Sequence, residues 1–229
     1  MSEKLLMSEI FTDVQISEHP KNSKSNRVLL IFDFDGTIAD TKSVYYKSIE
    51  ASLQRWGFDK TQVDNTVDIG LSLRKTLGNL GLGFLSRWML RRQIMKDVEK
   101  YTSLIKKCKD VDSINKISEK KILVTNSLKE FALPILKHLK LKKTFDEVYG
   151  ADDFSDKARF ISEYIKKNNM NKKECYYIGD RAADVKLARK AGCISVVISG
   201  RCAWNSRKEL IKAQPDFILD DIAQLRKIL

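Results

Sequence analysis

The apolar residues of this chain change their period along its length, and the changes mark out an architecture. From Val28 to Phe32 the run VLLIF is apolar throughout, the pattern of a central strand covered on both faces in a parallel sheet. Shorter runs recur at Ile122 to Val124, Tyr176 to Ile178, Ile194 to Ile198 and Phe217 to Leu219. Helical patterns separate most of them, and this alternation predicts a doubly wound, mainly parallel α/β sheet. Between the first two strands about 80 residues read as entirely helical. There Phe84, Trp88, Met95, Val98, Ile105 and Cys108 fall mostly at three- and four-residue steps, read as the packed face of a helical insertion. Beyond the second strand, Ser127 is placed to cap a helix that buries Leu128, Phe131, Ile135, Leu136 and Leu139. Residues 1–26 lack a sustained period and end in a polar stretch with Pro20, a tail and linker. The expected organisation is an α/β core of residues 27–40 and 115–229 with a helical cap of residues 41–114 inserted in it.

Composition narrows the class. Of the 229 residues, 43% are hydrophobic and 31% charged, enough apolar material for a core and none of the bias of a disordered chain. No apolar run approaches the ~20 residues of a membrane span. The N-terminus mixes Glu3, Lys4, Glu9 and Asp13 among its apolar residues, unlike a secretory signal, so a cytoplasmic location is expected. Cys108, Cys175, Cys193 and Cys202 show neither paired nor zinc-ligand spacing and read as reduced thiols. The net charge of +12 attracts anions, phosphorylated metabolites or nucleic acid. Because the lysines are scattered and not gathered in one block, a solvated surface is the simpler account of them.

Chemistry concentrates where strands end. DFDGT, Asp33 to Thr37, closes the most apolar strand, and the carboxyl ends of parallel strands are where ligands bind. A calcium loop is excluded because Ile38 and Ala39 offer no oxygen side chains. Thr125 and Asn126 follow ILV and offer a hydroxyl, an amide and backbone donors at a helix start, a setting for phosphate or for ordinary capping. Lys157 opens a helix bearing Ala158, Ile161, Tyr164 and Ile165, so its ammonium can serve as a point charge for a phosphoryl group. IGDRAAD places Asp180 just after a strand and Asp184 one helical turn further on. Two carboxylates there point to a hard cation.

This ordered set resembles the haloacid dehalogenase superfamily, specifically its phosphatase and phosphomutase branch with a helical cap inserted after the first motif. The resemblance runs from about Val28 to Leu229 and includes the stretch ARKAGCISVVISG after the last motif. It implies Asp33 as a nucleophile forming an aspartyl-phosphate and Asp35 as the acid and base that serves the leaving group and then water. It further implies Mg2+ held by Asp33, the Asp35 main-chain carbonyl and Asp180, with Thr125, Asn126 and Lys157 on the phosphoryl oxygens and Asp184 in support. An alkoxide needs a proton on departure and a halide does not, so Asp35 favours phosphate esters over dehalogenation. The Lys-Thr-Gly-Thr of the pump ATPases is absent. Two departures stand out: Ala158 follows Lys157 where many relatives have Pro, and SVYYKS stands where many have His. GLSLRKTL after Asp68 and the C-terminal SGRCAWNSRKEL are similar to phosphoglycolate phosphatases. GLSLR is also similar to the cap loop of sugar-phosphate mutases, and Arg74 and Lys75 are the cap's candidates for an anionic substrate, although a solvated helix face is the simpler role for either. The resulting expectation is a Mg-dependent hydrolase of a small phosphorylated metabolite. A sugar phosphomutase is the alternative, and a nucleic-acid binding protein, which only the net charge supports, is the third reading.

Overall fold

The computed structural model describes residues 28–66 and 73–229. The chain begins with β1 (Leu29–Phe32) and a two-residue strand β2 (Ala39–Asp40). Helices α1 (Lys42–Arg55), α2 (Lys60–Thr66), α3 (Leu73–Gly78) and α4 (Phe84–Tyr101) follow, then a second short strand β3 (Lys106–Lys107). The remainder alternates as β4 (Lys120–Val124), α5 (Lys129–His138), β5 (Glu147–Tyr149), α6 (Lys157–Lys167) and β6 (Cys175–Gly179). It closes with α7 (Ala182–Ala191), β7 (Ile194–Ile198), α8 (Arg207–Lys212) and β8 (Phe217–Leu219).

Six strands form one parallel sheet in the order β5-β4-β1-β6-β7-β8. β1 is therefore central, which is why each of its four residues is fully buried. Its alternate side chains feed two cores. Leu30 and Phe32 pack with α5 and with Ile222 and Leu225 near the C-terminus. Leu29 and Ile31 pack with Ile161 and Ile165 of α6 and Ala188 of α7. Helices on both faces make the doubly wound sandwich that the strand and helix alternation predicts.

The segment between β1 and β4 is not entirely helical. β2 and β3 pair antiparallel, Ala39 opposite Lys107 and Asp40 opposite Lys106, and the Cys108 N–H donates to the Ile38 carbonyl at 3.0 Å. This narrow ribbon joins the start of the inserted helices to their end. Runs of two residues are too short to show a strand period, so the sequence pattern misses them. It also misses β5, whose residues Glu147, Val148 and Tyr149 are half-buried at the edge of the sheet and carry no apolar run.

In α4 the buried face is Leu90, Ile94, Asp97 and Val98. Asp97 accepts from Ser52 Oγ of α1 at 2.6 Å and pairs with Arg55. The expected stripe is only partly a core: Val98, Ile105 and Cys108 are buried and Met95 is half-buried, but Phe84 and Trp88 are 80% and 48% exposed. A three-to-four-residue period identifies a helix, but two adjacent stripes on α4 share that period.

Candidate active site

Strand register gathers the motif residues. Phe32 lies opposite Leu123 of β4 and Ile178 of β6, so the three strands end within one residue of each other. The Asp33 N–H continues the ladder to the Ile178 carbonyl at 2.8 Å, and the Thr125 N–H reaches the Tyr149 carbonyl at 2.9 Å. Asp33, Thr125 and Asp180 thus stand at the carboxyl ends of β1, β4 and β6. That is the switch point of the sheet, because the chain continues to β4 on one side of β1 and to β6 on the other.

Asp33 and Lys157 form a buried ion pair, Nζ donating to Oδ1 at 2.7 Å. Lys157 is the first residue of α6, whose cap is the Asp156 side chain accepting from the Arg159 N–H at 3.0 Å. Its ammonium also lies 5.2 Å from the centre of the Tyr177 ring. Asp180 and Asp184 complete the anionic side. Each of Asp33, Asp180 and Asp184 brings a carboxylate oxygen within 4.8 Å of the others, and all three residues are buried. Asp180 accepts from Thr37 Oγ1 at 3.2 Å and from the Trp204 N–H at 2.7 Å. Asp184 accepts from the N–H groups of Asp180 and Arg181 at 3.1 and 2.9 Å, which fixes the turn between β6 and α7.

Burial, followed by the negative charges of Asp184 and Asp33, pushes the Asp180 carboxyl well above the usual carboxylate range. Asp184 is raised by burial and by Asp33. Three buried carboxylates this close are mutually unfavourable unless a cation joins them. An all-oxygen cluster of this kind fits a hard divalent ion such as Mg2+.

Asp35 faces away from that cluster. Thr41 Oγ1 donates to its Oδ1 at 2.8 Å and Ser127 Oγ to its Oδ2 at 2.8 Å. Ser127 in turn shares a 2.9 Å hydrogen bond with the Tyr45 hydroxyl. Burial first, and then the charge of Asp33, raises the Asp35 pKa. The Tyr45 ring stacks on Phe131 and meets Trp204 edge-on, with centroids 5.8 and 6.4 Å away. Gly36 permits the turn that follows the two aspartates: its φ is +79°, and a Cβ there would lie 2.4 Å from Asp180 Oδ2 and 2.5 Å from Trp204 Cδ1.

The structure brings Asp33, Asp35, Thr125, Lys157, Asp180 and Asp184 to one sheet edge. Asn126, next to Thr125, is exposed. The Arg74 and Lys75 side chains lie outside the described residues. Two expectations are corrected here. Ser127 does not cap α5, since the cap position is Leu128 and the Ser127 hydroxyl is committed to Asp35. Nor are all the backbone donors before α5 open, because the Ser127 N–H is bonded to Thr125 Oγ1 and the Lys129 N–H to Asp152 Oδ1, at 3.0 and 2.9 Å. Residues that motif reading passed over are Thr41, Tyr45, Ser127 and Trp204, along with Arg181, whose guanidinium lies 5.3 Å from the Trp204 ring centre. Ser127 adjoins the Thr-Asn pair and was within reach of the sequence. Tyr45 lies within SVYYKS, where the sequence departs from the family pattern, whereas Trp204 arrives from a distant segment and gives no local signal.

The comparisons agree with this geometry. The family model described as haloacid dehalogenase-like hydrolase matches residues 30–198. A phosphoglycolate phosphatase of Aliivibrio fischeri is 23% identical over 227 residues, covering 88% of this chain and 96% of its own. One from Aquifex aeolicus is 25% identical over 210 residues, covering 88% and 96%. A crystal structure of a predicted phosphoglycolate phosphatase from Haemophilus somnus superposes with a TM-score of 0.75 at 18% identity, over 90% of this chain and 99% of that one. With the motif residues gathered at the switch point and the family match spanning most of its length, the chain belongs to the haloacid dehalogenase-like hydrolases.

Proposed function

We propose that the chain is a Mg-dependent phosphatase acting on a small phosphate monoester through an aspartyl-phosphate on Asp33. The observation that carries this reading is the division of labour between two neighbouring carboxylates. Asp33 is paired with Lys157 inside the anionic cluster, whereas Asp35 sits among hydroxyls with its pKa raised. Asp33, Asp180 and Asp184, with the Asp35 main-chain carbonyl, are the residues to hold Mg2+, which when bound offsets the repulsion between a carboxylate and phosphoryl oxygens.

In the first step a carboxylate oxygen of Asp33 attacks phosphorus in line, the ester P–O bond breaks, and its electron pair leaves on the ester oxygen. Protonated Asp35 gives that oxygen its proton. In the second step Asp35, now ionised, takes a proton from the water that attacks phosphorus. The acyl phosphate bond breaks, inorganic phosphate leaves, and Asp33 is restored. Thr125, Asn126 and Lys157 hold the phosphoryl oxygens throughout. Residues 27–40 and 115–229 act as the core, and residues 41–114 act as a cap that selects the leaving group, with Arg74 and Lys75 on α3 as its contacts to an anionic tail. Hydrolysis in water at this edge calls for a small soluble substrate, and 2-phosphoglycolate is the first to test because relatives carry that name.

The test is release of inorganic phosphate from a panel of phosphorylated metabolites, with Mg2+ and with excess chelator. Phosphate release that needs the divalent ion and is lost in Asp33→Asn is the expected result. Turnover near wild type in Asp33→Asn overturns the mechanism, and conversion of a sugar phosphate to its isomer without free phosphate makes the chain a mutase.

A further inference from the structure

A cleft of about 440 Å³ runs between α4 and α5, and none of Asp33, Asp180 and Asp184 lines it. Trp88 and Met95 of α4 and Phe131 and Pro134 of α5 supply apolar walls, while Arg91, Arg92 and Lys96 make its α4 rim basic against Glu99 and Glu130. The Arg92 guanidinium lies over the Trp88 ring at 4.9 Å. The apolar surface continues along α4 beyond the cleft, where Phe84, Leu85 and Met89 are 80%, 65% and 50% exposed. A contiguous apolar strip beside three cations marks a contact surface.

We propose that the N-terminal segment Leu5–Ile16 of the same chain docks in this cleft with its apolar side chains, bridging the inserted helices and the core. Charge is the first argument. From Glu3 to Glu18 the segment carries Glu3, Glu9, Asp13 and Glu18 against Lys4 alone, in a chain whose net charge is +12. It is thus the acidic counterpart of a basic rim. Pattern is the second: Leu6, Met7, Ile10, Phe11 and Val14 follow an i, i+1, i+4, i+5, i+8 spacing, too brief for a sustained period but matched to a helix laid in a groove. Reach is the third. Pro20 to Arg27 are eight residues, which span up to about 28 Å when extended. Leu128, one of the residues lining the cleft, lies eight steps after Lys120, which pairs with Leu29 at the start of β1, and eight steps cover at most about 28 Å. A second copy of the chain fits less well, because a two-fold contact through α4 sets Arg91, Arg92 and Lys96 against themselves.

The test uses the full chain and the double variant Ile10→Asp/Phe11→Asp, which touches none of the proposed catalytic residues. In the wild type, amide exchange in residues 5–16 is expected to be slowed about tenfold or more relative to a free peptide of the same sequence. Zero-length carbodiimide coupling is expected to join Glu9 or Asp13 to Lys96 within one chain. In the double variant the coupling disappears and exchange on the exposed side of α4 quickens. Exchange in residues 5–16 equal to that of the free peptide overturns the proposal. So does coupling found only between isotopically distinct chains in a dimer, which gives the surface to a second copy.

Discussion

Asp33 and Asp35 are two residues apart and chemically alike, and their surroundings assign them opposite tasks. If Asp35 is the acid, Asp35→Asn should lower turnover of an alkyl phosphate by roughly 10²- to 10⁴-fold. Its effect on forming the intermediate from p-nitrophenyl phosphate, whose leaving group needs little protonation, should be far smaller. Equal losses on both, measured by rapid quench of the first turnover, would take the acid role from Asp35. The hydroxyls around it make a second, signed prediction. Thr41 and Ser127 donate to the carboxylate, which favours its ionised form, against burial and the Asp33 charge, which raise its pKa. Ser127→Ala removes one donor, so the pKa rises further and the fall in rate at high pH moves to higher pH. A limb that stays in place or moves down in the pH–rate profile with an alkyl ester rules out the contact.

Elements were legible from sequence where their signal is local. VLLIF had to be a central strand because burial on both faces leaves no polar position in it, and DFDGT had to sit at its exit. β5 and the β2–β3 ribbon were illegible because an edge strand and a two-residue pair impose almost no pattern. The site divides in the same way: Asp33, Asp35, Thr125, Lys157 and Asp180 announce themselves beside strands, whereas Tyr45 meets Ser127, and Trp204 meets Asp180, only through the packing of distant segments. In α4 the period named the helix but not the face that is buried. Asp97 is the instructive residue, a carboxylate on the buried side, held by Ser52 and Arg55 of α1. Asp97→Ala leaves the Ser52 hydroxyl without its acceptor in the seam between α1 and α4. The expected cost is about 1 to 3 kcal/mol, read as a lower urea midpoint at unchanged slope. A midpoint shift smaller than about 0.5 kcal/mol, the range of ordinary surface substitutions, would show that the seam does not need it.

At the scale of the whole molecule, the net charge of +12 conceals a concentrated negative centre, and the two respond to solution conditions in different ways. Dispersed lysines give weak binding to any polyanion that falls steeply with salt. Tight, sequence-selective DNA or RNA binding that persists in 0.2 M salt would revive the nucleic-acid reading. The buried carboxylates act on stability itself. Asp180 and Asp184 have folded-state pKa values above those of the unfolded chain, so the folded protein binds the extra protons. Stability from these groups is therefore greatest at low pH and is lost as pH rises from the unfolded range, about 4, through the raised folded values. At neutral pH the cluster opposes folding until a cation joins it. A ligand that binds only the folded state adds stability, about 2.7 kcal/mol at a hundredfold excess over its Kd, so Mg2+ should raise Tm in a concentration-dependent way. Asp184→Asn removes one repelling charge while keeping an oxygen acceptor. In chelator its Tm should exceed that of the wild type by a margin that widens from pH 5 to pH 8, and its gain from Mg2+ should be smaller. A margin that narrows with rising pH, or a wild-type Tm indifferent to Mg2+, would mean that the three carboxylates are not held together as a cation site.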